Sequence, residues 1–237
     1  MANIVPKVFP EPPSNFIEIE KISSSKMWTV PEDGYFKIIG VAASGNGGKY
    51  VTKSLGAGTP LYYNGGSGGT GSIVASVYPL NKGDVLEIKI DGNIQIVKSG
   101  EELAKATKGS NGKSGIHESR PGENDYYGYG DGGSGGNASG GNVANINGKK
   151  GNRGSGGFGG GGSSVSISYE GFSTASGRGA TNSGSTPGSG SSAYAVIFRG
   201  NTNLTSSRQN TLNITSLMLE INKVGQEITD LKLNKSV

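Results

Sequence analysis

Gly148-Lys149-Lys150-Gly151-Asn152-Arg153-Gly154 decides how this chain is read: glycine stands at every third position and nowhere between. The spacing continues to Gly157 and Gly160, now with other glycines interspersed. Gly109-Ser110-Asn111-Gly112-Lys113-Ser114-Gly115 repeats the clean form, and the period recurs at Gly65, Gly68 and Gly71 and at Gly130, Gly133 and Gly136. Three residues per turn is the period of the extended left-handed helix, which makes no hydrogen bonds within itself. Glycine along one edge of such a helix lets a neighbouring backbone close in and bond. Proline does not alternate with these glycines and the runs are short, which excludes a collagen triple helix. The spacing predicts a bundle of polyglycine II helices joined by backbone hydrogen bonds. The competing expectation is a flexible glycine-serine linker. Residues 128–162 hold 17 glycines in 35 positions, a density that produces some three-fold spacing by chance. The two clean runs argue for order.

Composition sets the outer limits. The 237 residues allow one large or two small domains, and at 32% hydrophobic and 7% aromatic a conventional core covers only part of the chain. Cysteine is absent, so disulfides and thiolate-bound metals are excluded. Stability is expected from backbone bonding, packing and self-association. The opening Met-Ala-Asn-Ile-Val-Pro has no basic region ahead of an apolar run, so no secretory signal is expected. No stretch approaches the ~20 apolar residues of a membrane span. Charge is uneven: residues 132–219 are net +5, the remainder net −1. The basic residues are scattered and follow no nucleic-acid-binding motif, so nucleic acid is not an expected partner.

Along the chain, Pro6, Pro10, Pro12 and Pro13 make residues 1–15 an extended arm, with Ile4, Val5, Val8 and Phe9 available to dock on another subunit. Alternating or apolar segments predict strands at 16–22, 35–43, 72–78, 85–90, 94–97, 164–169 and 193–199. Asp91-Gly92-Asn93 predicts a hairpin turn. Residues 100–107 read as a short helix or an irregular loop. Strands flank the glycine-rich stretches on both sides. Residues 16–200 are therefore expected to form one mainly β domain, a β-sandwich. Its glycine-rich excursions run over about 45–71, 109–115, 128–162 and 177–192.

Beyond residue 200 the pattern changes. Ile214, Leu217, Ile221, Val224, Ile228 and Leu231 are spaced alternately three and four apart, as in a heptad seam. Residues 201–237 are expected to be a linker and a C-terminal α-helical coiled coil. Ser207 and Asn210 extend the seam backward as polar positions that can fix register. Isoleucine at one seam position with leucine at the other suits dimers. A single helix packed on its own domain would also use this stripe.

Catalytic patterns are missing. His117 is the only histidine, with no cysteine beside it, which excludes the common zinc sets, and no nucleophile elbow accompanies it. The glycine loops lack the Gly-Lys-Ser/Thr ending of a phosphate loop. Neither an enzyme nor a cofactor is expected. Tyr126, Tyr127, Tyr129 and Phe158 lie within glycine-rich sequence that offers them little core. Tyrosine brings stiff contact area with a polar tip, as recognition surfaces do. With Lys149, Lys150 and Arg153 they are the candidate receptor-binding loop residues. Tyr62 and Tyr63 are similar. The rings would alternatively pack over the glycine bundle.

Trp28-Thr-Val-Pro-Glu-Asp-Gly34 precedes a buried strand, and a glycine cluster follows at 45–71. Then come Pro79-Leu-Asn-Lys-Gly83-Asp84 before Val-Leu-Glu-Ile-Lys-Ile, and a closing Ala195-Val-Ile-Phe-Arg199. This order of elements resembles glycine-rich phage tail-fibre and adhesin proteins over roughly residues 27–200. The resemblance implies a sandwich whose glycine loops pack as polyglycine helices and present variable tips to a bacterial surface glycan or protein. It also implies a homotrimer, which the heptads would clamp. Other tail or baseplate proteins would attach through the arm or the coil. The expected location is a virion or phage-tail-like particle, after synthesis in the bacterial cytoplasm. A competing expectation is a particle protein without a receptor, such as a baseplate, capsid-decoration or spore-coat component.

Overall fold

The computed structural model describes residues 12–53, 61–119, 124–156, 161–181, 185–200 and 221–222. The chain divides into two units, residues 1–200 and 201–237. Most of the N-terminal arm lies outside the described residues, as do Gly157 and Gly160. Of the heptad positions Ile214, Leu217, Val224, Ile228 and Leu231 also lie outside them. Ile221 is in a helical pair of residues and is exposed.

The described part of the first unit is mainly β, in antiparallel sheets. Its strands are β1 Phe16–Ile22, β2 Lys26–Thr29, β3 Gly34–Val41, β4 Val51–Lys53, β5 Leu61–Tyr63, β6 Ile73–Leu80, β7 Val85–Ile90 and β8 Ile94–Lys98. They continue as β9 Glu101–Ala106, β10 Ile116–Glu118, β11 Tyr126–Gly128, β12 Ala138–Ser139, β13 Ala144–Ile146, β14 Ser166–Tyr169, β15 Phe172–Ala175 and β16 Tyr194–Gly200. One five-stranded sheet has the order β1-β16-β3-β6-β13 and another the order β12-β9-β8-β7-β2. The two share a core that includes Trp28, Phe36, Ile38, Leu86, Ile88, Ile96 and Ile197. Trp28 meets Phe36 edge to face at 5.3 Å. The β14–β15 hairpin lies on the other face of the first sheet, where Ile167 and Phe172 pack with Ile39, Val41 and Ile73. Residues of β3 are thus buried on both faces, as a near-continuous apolar run requires.

Residues 101–106 are a strand, not a helix or an irregular loop. Helix formers in Glu-Glu-Leu-Ala-Lys-Ala are overridden by the preceding turn. Ser99 (φ 52°) and Gly100 (φ 84°) are both left-handed, the geometry of a two-residue hairpin loop. The turn sends β9 back along β8, pairing Ala106 with Ile94 and Ala104 with Ile96 in the core.

Four excursions leave the sheets and return: 42–72 between β3 and β6, 107–137 between β9 and β12, 147–165 between β13 and β14, and 176–193 between β15 and β16. The predicted stretch 128–162 is corrected accordingly. Its middle, 138–146, returns to the sheets as β12 and β13, paired with β9 and β6. That division makes one excursion into two. The stretch at 45–71 likewise contains the β4–β5 hairpin.

Residues 64–72 run through the centre of the excursions and are buried throughout. Their backbone bonds go in different directions with a period of three, at 2.8–3.2 Å. Gly65 and Gly68 donate to Ala180 and Gly177; Gly66, Gly69 and Ser72 donate to Lys113, Ser110 and Thr107; Ser67 and Thr70 donate to Asn152 and Lys149. Their carbonyls accept from Gly48, Gly45 and Ala42, from Gly130, Gly133 and Gly136, and from Gly162. One segment therefore has six neighbouring segments, which only a backbone almost bare of side chains allows. A Cβ at Gly68 would overlap the Gly45 carbonyl oxygen, and one at Gly151 the Gly68 carbonyl oxygen. Where the central segment does carry side chains, they bond as well. Ser67 Oγ accepts the Asn152 N–H at 2.7 Å, and Thr70 Oγ1 accepts that of Lys149 at 2.7 Å.

Candidate functional site

Strand geometry fixes which end of the excursions faces away from the sheets. Ala42, Ser72, Thr107 and Asn137 bond one another beside the strand ends. At the opposite end the N–H groups of Gly115, Gly130 and Gly66 donate to the carbonyls of Lys49, Asn64 and Lys113. At about 3.1 Å per residue the central segment separates the two ends by roughly 25 Å.

Two short hairpins stand at that outer end. In β4–β5, Val51 pairs with Tyr63 and Lys53 with Leu61. In β10–β11, His117 pairs with Tyr127 and Glu118 with Tyr126. Cross-strand pairing places the His117 ring on Tyr127, stacked at 4.5 Å and 9°. Tyr63 joins the hairpins, 5.0 Å from Tyr127 and 5.4 Å from Tyr129 between ring centroids. The Lys53 ammonium lies 5.0 Å from the centre of the Tyr127 ring, within cation–π range. Tyr50 meets Tyr62 edge to face at 6.0 Å. His117 Nε2 is 3.2 Å from Asp125 Oδ2. Loss of water around Tyr127, and then the nearby Asp125 carboxylate, push its phenol above the usual tyrosine range.

The structure brings together three of the sequence-predicted residues, Tyr126, Tyr127 and Tyr129. Tyr127 and Tyr129 are half-buried in the stack, while Tyr126 is 43% exposed; on the same two hairpins Leu61 (47%) and Ile116 (37%) are exposed as well. Arg153 sits close to this end, 3.5 Å from Asp131, next to the Gly154 N–H bond to the Gly130 carbonyl. Lys149 and Lys150 do not join the cluster. They are exposed on the flank of the bundle, level with Thr70 and nearer the sheets. Phe158 lies outside the described residues. Sequence reasoning weighed His117 only as a catalyst or metal ligand and missed its place in the stack. A signal was present in the Ile-His-Glu and Tyr-Tyr-Gly triplets, but each is too short to show strand periodicity.

A shallow groove of about 470 Å³ adjoins the cluster, lined by Lys49, Tyr50, Val51, Thr52, Ser185, Thr186 and Pro187. Among the described residues no group of three or more histidines and carboxylates could hold a metal, and no helix is long and apolar enough to cross a membrane. The arrangement suits contact: rigid rings with polar edges, held on a backbone scaffold.

A scan against protein-family models finds no matching family, and a search of curated proteins finds no match.

Proposed function

We propose that this chain is a tail-fibre component of a phage or phage-tail-like particle that binds a bacterial cell-surface receptor through the outer end of its excursions. The excursions are polyglycine II helices set on a β-sandwich. The single observation that carries this reading is the aromatic cluster placed roughly 25 Å from the sheets, at the end of a bundle held by three-fold backbone bonds. Tyrosines and exposed aliphatic groups there are costly for a soluble surface unless a partner covers them. Residues 214–231 form a parallel coiled coil that holds three copies together, and the Pro-rich arm or the coil attaches them to the particle.

Fluorescently labelled protein incubated with a panel of bacterial strains tests this. Binding to particular strains is expected, with loss of at least about tenfold on Tyr126→Ser, since central aromatic contacts commonly contribute 2 kcal/mol or more. Equal binding by the variant would remove the cluster as the site. A second reading, a particle protein without a receptor, is favoured by exposed Ile17, Ile19 and Met27 on the edge strands β1 and β2. It would be preferred if the protein co-purified with a particle and adsorbed to no strain.

A further inference from the structure

We propose that the groove between the outer ends of the first and fourth excursions binds a sugar that carries an anionic group, a carboxylate or a phosphate. This rests on the surface-binding reading above and names the ligand of a subsite beside the aromatic cluster.

The groove has walls of two kinds. Tyr50, Val51 and Pro187 supply apolar surface, and Tyr50 is braced by its edge-to-face contact with Tyr62. Thr52, Ser185 and Thr186 supply hydroxyls. Flat apolar faces beside hydroxyls match the two kinds of surface that a pyranose presents. Among the described residues that line the groove the only charge is the Lys49 ammonium. Lys49 is exposed and pairs with no carboxylate among the described residues. A charge-assisted bond from this cation to a ligand anion is worth more than a neutral one.

The groove is also preformed. Its Lys49 wall is fixed from behind: the Lys49 N–H donates to Ser114 Oγ at 3.1 Å, and the Lys49 carbonyl accepts from Gly115 at 2.8 Å. The opposite wall is tied to it through the Gly47 N–H bond to Gly188 and the Ala180 N–H bond to Gly48, both 2.9 Å. Little ordering remains to be done on binding, which favours a small ligand. A volume of about 470 Å³ falls within the range of roughly 300–1,000 Å³ usual for small-molecule sites.

The test is saturation-transfer NMR and calorimetry on the full chain with glucuronic acid, glucose 1-phosphate and glucose. Both anionic sugars are expected to bind. Glucose should bind several-fold more weakly, and Lys49→Gln should weaken the anionic sugars about tenfold, the scale of one charge-assisted bond. Tyr50→Ala should weaken all three. Preference for glucuronic acid would mark a uronic-acid polymer as the source, and preference for the phosphate a phosphorylated envelope glycan. Equal affinity for glucose and the anions, or unchanged affinity in Lys49→Gln, would overturn the proposal, as would no binding of any sugar. Adsorption to cells separates this failure from that of the wider reading. If Lys49→Gln adsorbs as the parent does while Tyr126→Ser does not, the groove fails and the surface-binding function stands. If the parent adsorbs to no strain, both fail.

Discussion

At the scale of single residues, glycine acts here by what it lacks. Gly68 and Gly34 contrast the two cases. At Gly68 a methyl group has backbone oxygen in its place, and backbone cannot turn aside as a side-chain end can. At Gly34 the nearest atom to a built Cβ is the Phe36 ring, 4.0 Å away. Gly68→Ala should cost roughly 3 kcal/mol, the upper range for overpacking. Gly34→Ala should be neutral or stabilising by up to about 1 kcal/mol, because it only restricts the unfolded chain. Urea midpoints measure both. The turn at Ser99 offers the reverse change. Serine there holds a positive φ of 52°, a geometry asparagine tolerates better, so Ser99→Asn should stabilise by about 0.5 kcal/mol in the same assay. Glu170 supplies a pH dependence. Its bond with Lys37 holds the carboxyl below the usual glutamate range. Stability from this pair is present above the unfolded value, near 4.3, and is lost as pH falls through the lowered folded value. The urea midpoint of the parent should fall on going from about pH 5 to pH 3, and Glu170→Gln should reduce that fall. An identical fall in the variant would contradict the assignment.

At the scale of elements, Tyr63 ties its own hairpin to a second one, through Tyr127, 64 residues further along the sequence. Tyr63→Ala should speed amide exchange in both Lys53 and Tyr127 while leaving β3 and β6 unchanged. Tyr126→Ser, on the exposed side, should alter neither. Much of the fold was legible because its signals are local. Gly109, Gly112 and Gly115, and Gly148, Gly151 and Gly154, show their period directly, and each of these amides makes the backbone bond that the period implies. Long apolar strands such as β3 and β16 were legible for the same reason. What stayed hidden depends on distant partners. Residues 101–106 have helical propensity, and the turn at Ser99 and Gly100 together with burial of Ala104 and Ala106 against β8 makes them a strand. The strands of three residues or fewer, β4, β5 and β10 to β13, have no readable period. Lys149 and Arg153 lie in one glycine run, but sequence alone does not tell which end of a run points outward. For that reason the closeness of Tyr126, Tyr127 and Tyr129 was legible, and which of Lys149, Lys150 and Arg153 lies near them was not.

At the scale of the molecule, order in the first unit comes from two sources: an apolar core between sheets, and a bundle whose cohesion is backbone bonding. The second source needs no large side chains, so the outer ends are free to carry residues chosen for contact. The heptads at 214–231 carry a separate prediction. Light scattering should give three chains per particle for the full protein and one for a chain ending at Thr202. A full-length monomer would assign the seam to a different partner. The claim on which the rest depends is that the glycine segments are fixed by backbone bonds, since a mobile bundle could not position either the cluster or the groove. Amide hydrogen exchange over residues 64–72 tests it most directly. The account predicts protection comparable to that of β3 and β6, with Gly66 and Gly69 among the slowest amides. Exchange there at the rate of an open glycine-serine chain would contradict it.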